Sequence, residues 1–375
     1  MARAAPRPAV LMVAAVVAVL LPDAAEPRIL LTLDDFGAVG DGVADDTKVR
    51  QRCCSVFNII SRTRRSPGSS SYLYHDLKVT GGGIIDGRGQ QWWARSSCEE
   101  KKNCTAQPAP KAVHFEDCHG ISVKGITLQN SQQYHLTFTR SSNVEANYLR
   151  VTSPEDSIDT KGMHLVDSKN VHVMDNLIST GDDCVSIMGN CTDVRLRAIS
   201  CGPGHGISIG TLGVNGSVDY VEKIKVDTLF ISNAENGVRV KTTKVKFESI
   251  VMRNVTNPII IDQGNSDDPA DSSEAPQTAA TAVQVEKINY IDIRGTSASE
   301  HAVTFSCSDA KPCRHLSLTN VNLTWVDGLK ASSYCRKAFG KSTGTVIPES
   351  CLSKEDFVHH VPRHSEEDEE EDSDS

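Results

Sequence analysis

A short β-rich phrase recurs about every 22 residues between Cys118 and Leu323. Each copy alternates apolar and polar residues and then reaches Gly, Asn or Asp, a pattern typical of a strand followed by a turn. Helical periodicity is nearly absent, so the repeat predicts an all-β solenoid. The simplest such fold is a right-handed parallel β-helix with irregular N-terminal and C-terminal segments; a leucine-rich repeat is the alternative, but its fixed Leu and Asn spacing is missing. The clearest copies are NVEANYLRVTS, NVHVMDNLIST, DVRLRAISCGP, KIKVDTLFISN and KINYIDIRGTS.

The register of the repeat aligns three polar residues. KGMHL, DCVSI and HGISI begin at Lys161, Asp183 and His205, and successive members are 22 residues apart. Equivalent residues in adjacent coils of a β-helix stack at about 4.8 Å, so these three side chains are expected to form a row, here called the polar ladder. Asp182 precedes Asp183 directly, and Asp159 lies two residues before Lys161. On an extended strand, Asp159 would face the same cleft and pair with Lys161.

A pair of cations is expected one coil further along the chain. NGVRVK continues the repeat after a longer connection, with Asn236 aligned to His205 at a separation of 31 residues. Arg239 and Lys241 are two residues apart on that strand and therefore share a face. Such cations suit a carboxylate-bearing sugar, although a solvent-facing strand edge is the ordinary explanation for them.

Paired carboxylates with a neighbouring histidine suit the cleavage of glycosidic bonds. Asp182 and Asp183 are too close for both to ionise easily, so the pKa of one should rise, as a general acid requires. His205 could hydrogen-bond one of them. Each residue alone fits a polar turn, and stacked polar residues can simply line a solvated face. Together the set predicts hydrolysis of an acidic polysaccharide, without a metal ion or cofactor, because no metal-ligand spacing or phosphate-binding loop is present.

The N-terminal segment has the pattern of a secretory signal. Arg3 and Arg7 precede an apolar run from residue 9 to 21, and small residues follow, which predicts a signal peptide over 1–25 cleaved near Ala25. A membrane anchor is the alternative, but the run is shorter than the roughly 20 residues that a bilayer requires. No later segment is long and apolar enough to span, so we expect a soluble protein secreted to the extracellular region or cell wall.

Twelve cysteines in a secreted chain predict disulfides, and five N-x-S/T sequons fit a glycoprotein. Spacing favours local pairs but leaves the connectivity open. The favoured pairs are Cys98 with Cys104, Cys184 with Cys201, Cys307 with Cys313, and Cys335 with Cys351, and the sequons are at Asn103, Asn190, Asn215, Asn254 and Asn322.

The net charge of −9 is concentrated at the C-terminus. SEEDEEEDSDS holds eight acidic residues, which leaves −1 for the rest of the chain. A run this acidic cannot bury a core, so 353–375 is expected to be a solvated, disordered tail. The near-neutral body gives no support for nucleic-acid binding, and any charged partner must meet a local patch.

Three motifs carry a specific resemblance: GDDC (181–184), CGPGHGISIG (201–210) and RVK (239–241). FGAVGDGVADDT, IIDGRGQQWW and NPIIIDQ support it over about 33–352. The chain resembles the plant-type polygalacturonases of glycoside hydrolase family 28. The resemblance implies a right-handed β-helix that hydrolyses α-1,4-galacturonan in pectin with inversion. It further implies Asp182 as general acid, Asp183 as an activator of water, His205 as support for the acid, and Arg239 with Lys241 as ligands of substrate carboxylates.

The sequence departs from this family in three places. DTKG has Lys161 where the family usually has an aspartate that shares water activation. This lysine should hold Asp183 ionised and lower the pKa of Asp182, and general acid–base help is worth about 10²- to 10⁴-fold. The N-terminal segment, 26–80, is shortened before the catalytic domain expected over 81–352. After Lys241, TTKVKFESI enters the next coil without the usual loop, which shortens one wall of the cleft.

Three functions follow as hypotheses. The first is a secreted, probable-monomer-type glycoside hydrolase acting on polygalacturonic acid, with no membrane partner after signal cleavage. The second is a catalytically impaired pectin-binding homologue that keeps Lys161, Arg239 and Lys241. The third is a pectate lyase, which shares the β-helix, but the GDDC and HGISIG motifs argue against it because lyases depend on calcium carboxylates and a basic catalytic residue.

Overall fold

Parallel strands make up most of the protein. The computed structural model describes residues 30–32, 75–96, 109–210, 221–263 and 283–354, and one helix, α1 (Gln90–Ser96), lies near the start of this part of the chain. In chain order the strands are β1 (Leu30–Thr32), β2 (His75–Thr80), β3 (Ile84–Asp86), β4 (Val113–Glu116), β5 (His119–Lys124), β6 (Thr127–Gln129), β7 (Leu136–Thr139), β8 (Ser142–Asn147), β9 (Arg150–Thr152), β10 (Met163–Val166), β11 (Lys169–Ser179), β12 (Val185–Met188), β13 (Thr192–Cys201), β14 (Ile207–Ile209), β15 (Glu222–Ser232), β16 (Asn236–Val240), β17 (Thr243–Val255), β18 (Asn257–Asp262), β19 (Glu286–Ser297), β20 (His301–Ser306), β21 (Cys313–Trp325), β22 (Ser332–Arg336) and β23 (Ala338–Ile347).

These strands form two parallel sheets that the chain visits in turn. The short sheet has the order β22-β20-β18-β16-β14-β12-β10-β7-β4. The long sheet runs β1-β2-β5-β8-β11-β13-β15-β17-β19-β21-β23, with β3, β6 and β9 paired beside it. Because each coil contributes to both sheets and then pairs with the next coil, the chain winds as a solenoid. The predicted right-handed parallel β-helix is confirmed.

The core fills the space between the two sheets. Strand residues alternate, so one side chain points inward and the next outward. In β12 and β14 the inward residues Val185, Ile187, Ile207 and Ile209 are fully buried. Aromatic residues of adjacent coils also stack inside, as with Phe247 and its neighbour Tyr290, whose ring centroids are 5.3 Å apart. Stacking of like residues across coils therefore extends from the outer face into the core.

Left-handed backbone residues shape the coils. The long strand β11 contains Asn170 (φ 54°) near its start and Asp175 (φ 57°) at its bend. Asn and Asp adopt this conformation more readily than most residues, because their short side chains bond the local backbone. The bends divide each long strand into two faces and keep every coil in the same register.

Three of the four favoured disulfides are confirmed: Cys184–Cys201, Cys307–Cys313 and Cys335–Cys351. Cys98 and Cys104 lie outside the described residues, as do the predicted signal peptide and almost all of the predicted acidic tail. Among the sequons, Asn190, Asn254 and Asn322 are exposed, whereas Asn103 and Asn215 lie outside the described residues. Within the described ranges, no helix is long and apolar enough to cross a membrane.

Candidate active site

The polar ladder forms where the long sheet turns into the short sheet. Met163 pairs with Val185, and Val185 pairs with Ile207, so the residues two positions earlier in each coil are also equivalent. The predicted alignment of Lys161, Asp183 and His205 is therefore confirmed. Each ladder residue immediately precedes a strand of the short sheet, which fixes its backbone by hydrogen bonds to the adjacent coils.

The turn that carries His205 approaches the carboxylate pair closely. The backbone N–H of His205 donates to the carbonyl of Asp182 at 3.0 Å. The preceding Gly204 has φ 142°, and a Cβ added there would lie 2.7 Å from that same carbonyl oxygen. Thr180 also donates its hydroxyl to this oxygen, at 3.1 Å. Glycine at position 204 thus permits the contact that brings the histidine beside the acid pair.

Lys161 lies between the two carboxylates. Its Nζ donates to Oδ2 of Asp182 at 2.7 Å and to Oδ2 of Asp183 at 3.0 Å. The side chains of all three residues are less than one fifth exposed, and the Lys161 ammonium also lies 5.9 Å from the centre of the Tyr134 ring. One cation therefore neutralises a buried pair of anions in a low-dielectric environment.

Burial and charge shift the pKa values of this group in opposite senses. Burial alone would raise the pKa of Asp182, but the hydrogen bond from His205 and the charge of Lys161 hold it well below its ordinary value. For Asp183, burial is the larger effect and raises its pKa, although Lys161 offsets part of the rise. The expected lowering at Asp182 agrees with the structure, whereas at Asp183 desolvation outweighs the lysine. Lys161 itself would have its pKa lowered by burial, but the two carboxylates raise it above the ordinary value.

His205 bridges two acidic residues. Its Nδ1 lies 3.3 Å from Oδ1 of Asp182, and its Nε2 lies 3.2 Å from Oε2 of Glu235. The hydrogen bond to Asp182 raises the pKa of His205, partly against burial, and the charge of Glu235 raises it further. An imidazolium is therefore favoured at this position.

Sequence reasoning missed several neighbours of the ladder. Ser208 donates its hydroxyl to Oδ1 of Asp183 at 2.5 Å, and the ring centroids of Tyr134 and His164 are 4.6 Å apart. Burial, followed by the charge of Lys161, lowers the pKa of His164 to about 3. Ser208 could have been found by extending the register, because it aligns with Arg239. Tyr134 comes from a connection outside the repeat, so no periodicity points to it.

The predicted cations lie in the coil after His205. Ile207 pairs with Val238, which confirms the expected 31-residue step. Arg239 is half-buried on β16, while Lys241 is buried just beyond that strand, and its backbone N–H donates to Ile209 at 2.8 Å. Only residues 241 and 242 separate β16 from β17, consistent with the short connection expected there.

Asp159 departs from the expected strand geometry. It is exposed in a turn with φ 55°, so the premise that it lies on an extended strand is wrong. The turn forms because its carbonyl accepts the backbone N–H of Lys161 at 3.0 Å. Its carboxylate nevertheless acts on Tyr134, whose pKa is raised chiefly by burial and further by Asp159 and the ladder acids. A contribution of Asp159 to the site stays a prediction.

The arrangement is suited to acid–base chemistry rather than to metal binding. Two adjacent buried carboxylates differ in environment, and one is hydrogen-bonded to a histidine. Among the described residues, no group of three or more His, Cys, Asp or Glu side chains could hold a metal ion. A parallel β-helix with such a carboxylate pair on its coil turns has the architecture of a polysaccharide-processing protein.

Comparison with known proteins gives the family. The model of "Glycosyl hydrolases family 28" matches residues 46–344, and the chain belongs to this family. The avocado (Persea americana) polygalacturonase is 36% identical over 359 residues, covering 81% of this chain and 76% of that protein. Polygalacturonase QRT2 of Arabidopsis thaliana is 43% identical over 285 residues, covering 73% of this chain and 63% of that protein.

Solved structures agree on the fold. The polygalacturonase from Erwinia carotovora matches with a TM-score of 0.57 at 22% identity, covering 69% of this chain and 71% of that one. Endopolygalacturonase I from Stereum purpureum, complexed with two galacturonates, matches with a TM-score of 0.56 at 19% identity, covering 75% of this chain and 84% of that one.

Proposed function

We propose that the protein is a secreted polygalacturonase-type hydrolase whose cleft acts on α-1,4-galacturonosyl linkages of pectin by inverting acid–base hydrolysis. We further propose that Lys161 strongly attenuates this activity. Membership of family 28 and the polygalacturonase relatives support the substrate class. The observation that carries the attenuation is the single ammonium bonded to both Asp182 and Asp183.

In this proposal each ladder residue has a distinct task. Asp182 protonates the leaving oxygen, Asp183 activates the attacking water, and His205 supports Asp182. Arg239 and Lys241 bind the carboxylates of the galacturonate units, because cations aligned on one strand face match a chain of uronic acids. No cofactor is required for these steps.

Lys161 opposes this chemistry in two ways. Its charge favours the ionised form of Asp182, and an ionised group cannot donate a proton to the leaving oxygen. Its Nζ also occupies a position within hydrogen-bonding distance of both carboxylates, where a water activated by the pair would lie. Loss of general acid–base help reduces rates by about 10²- to 10⁴-fold, so we expect a correspondingly slow enzyme.

The protein acts as a monomer outside the cell, in the wall where pectin is found. The predicted signal over 1–25 and the confirmed disulfides favour an oxidising compartment. Asp159 contributes a further carboxylate at the rim of the cleft.

A non-catalytic pectin-binding role is the second candidate. The observation that favours it is the complete pairing of Lys161 with both acids, since it leaves the site electrostatically satisfied without substrate. Lys161, Arg239 and Lys241 would then recognise polygalacturonate without cleaving it.

One comparison separates these candidates: reducing-sugar release from polygalacturonic acid by the wild-type chain and by Lys161→Asp. We expect slow release by the wild type and at least 10²-fold faster release by the variant. The exposed Lys169→Asp variant is the control for surface charge. Equal rates in wild type and Lys161→Asp would refute attenuation by the lysine.

Further outcomes identify the other functions. Silence in both proteins with retained binding would favour the pectin-binding role. Calcium-dependent formation of an unsaturated product would instead indicate a lyase. Far-UV circular dichroism of each variant shows whether the β-helix has formed.

A further inference from the structure

A second cationic feature lies on the outer face of the long sheet, away from the turns that carry the ladder. It is a groove of about 410 Å³ over strands β15, β17 and β19. Five lysines line it, together with two aliphatic residues and an asparagine, and no carboxylate is among the lining residues. We call it the lysine groove; its lysines are Lys223, Lys225, Lys244, Lys246 and Lys287.

Three of these lysines occupy a backbone conformation that lysine seldom adopts. Lys223, Lys244 and Lys287 have φ between 58° and 59° and are equivalent to one another in successive coils. The same row holds Asn or Asp in the three preceding coils, at Asn143, Asn170 and Asp193. Asn and Asp are the residue types that favour this conformation. Lysine therefore replaces the locally preferred residue in three consecutive coils, which indicates a use for the charge.

The lysine ammonium groups are accessible and only loosely committed to their partners. Lys223 is 4.0 Å from Asp193, while Lys225 is 3.8 Å from Asp227 and 3.7 Å from Glu248. The remaining pairs are Lys244 with Glu222, Lys246 with Glu248 at 2.8 Å, and Lys287 with Glu286 at 3.1 Å. All five lysine side chains are at least 40% exposed. Exposed ion pairs contribute little to stability, so an incoming anion can displace them.

Nearby arginines leave the patch with an excess of positive charge. Arg195 and Arg197 both lie 3.3 Å from Asp227, which already serves Lys225. Among the described side chains of this patch, seven cations therefore meet five carboxylates. The five carboxylates are Asp193, Glu222, Asp227, Glu248 and Glu286.

The arrangement suits a linear polyanion better than a compact one. Equivalent lysines in adjacent coils repeat at about 4.8 Å along the solenoid axis, in two parallel rows. A compact anion such as phosphate requires converging donors, whereas these ammonium groups are spread along a line. Lysine also acts as a mobile point charge, which suits successive carboxylates of a flexible chain.

We propose that the lysine groove is a second, non-catalytic binding site for a linear polyuronate. The choice of a polyuronate over other polyanions rests on the proposed function; the cationic groove itself does not. A site of this kind would hold the polysaccharide on the protein while its cleft engages another stretch of the chain, and the two sites would raise the overall avidity.

The test is affinity electrophoresis of the full chain through gels containing polygalacturonic acid, at about physiological ionic strength. The groove variant combines Lys223→Asn, Lys244→Asn and Lys287→Asn, which removes three charges while installing a residue that the row already carries. The control combines Lys124→Gln, Lys169→Gln and Lys354→Gln, which removes three exposed charges elsewhere. A third variant, Arg239→Ala, weakens the cleft.

We expect the groove variant to bind polygalacturonate about tenfold more weakly, and the control within about twofold of the wild type. Arg239→Ala should keep the groove-dependent part of the binding. Equal binding by the groove variant and the control would overturn the proposal, as would complete loss of binding in Arg239→Ala alone. Equal retention by heparin at matched charge would indicate unspecific ion exchange and overturn the polyuronate assignment.

The result is independent of hydrolysis. If neither the wild type nor Lys161→Asp releases reducing sugar but groove-dependent binding persists, the proposed enzymatic function fails and the groove stands. If hydrolysis occurs and the groove variant binds like the control, the reverse holds.

Discussion

Replacing Lys161 with methionine should destabilise the fold strongly and in a pH-dependent way. Methionine keeps most of the side-chain length but removes the ammonium that both Asp182 and Asp183 contact at 3.0 Å or less. These side chains are 17%, 11% and 10% exposed, so solvent cannot replace the lost partner fully. Breaking a buried pair by removing one member costs about 3–5 kcal/mol, because uncompensated charge is left behind.

The pH dependence follows from the two carboxylates. In the wild type, the lowered pKa of Asp182 contributes stability that is present above the ordinary aspartate pKa and is lost as the pH falls through the lower folded-state value. In Lys161→Met this contribution shrinks, and the already raised pKa of Asp183 rises further. Protonation of Asp183 then relieves the variant at acidic pH. The difference in free energy of unfolding between the two proteins should therefore be larger at about pH 7 than at about pH 4.5.

Urea unfolding followed by circular dichroism measures this difference at the two pH values. The matched control is Lys225→Met, because Lys225 also contacts two carboxylates, Asp227 and Glu248, but is 43% exposed. That exposed lysine should contribute no more than about 1 kcal/mol. A loss below about 1 kcal/mol in Lys161→Met, or a loss that does not change with pH, would refute the view that this lysine neutralises a buried acid pair.

Two other predictions concern the surroundings of the ladder. Glu235→Gln should lower the pKa of His205 toward its ordinary value, because the carboxylate 3.2 Å from Nε2 loses its charge. NMR titration of the imidazole measures the shift, Glu155→Gln is the control, and an unchanged pKa would contradict the contact. Asp159→Asn should weaken polygalacturonate binding roughly threefold, if the rim carboxylate hydrogen-bonds the sugar. Binding isotherms compare it with Asp156→Asn in the same turn, and unchanged binding and hydrolysis would remove Asp159 from the site.

Much of the site follows from one regularity of the sequence. The 22-residue spacing of Lys161, Asp183 and His205 determined which residues stack, because a parallel β-helix converts a fixed period into spatial adjacency. The 31-residue step to Asn236 was also correct. Apolar alternation within each copy determined the core-facing residues for the same reason, and the close cysteine spacings identified three disulfides.

Only the tertiary structure decided how the side chains in that row interact. The sequence placed Lys161 near Asp183, but the bidentate contact with Asp182 as well depends on the turn geometry around Gly204. Desolvation of Asp183 could not be predicted from the period either, since burial depends on all the groups around an atom.

The residues outside the repeat were likewise set by folding alone. Tyr134 and Glu235 reach the ladder from connections between strands, where neither spacing nor alternation applies. Asp159 adopted a left-handed turn in place of the expected strand. A repeated sequence determines which coils are neighbours, because backbone pairing enforces one register. Burial, hydrogen-bond partners and charge balance are determined by the three-dimensional packing of those coils.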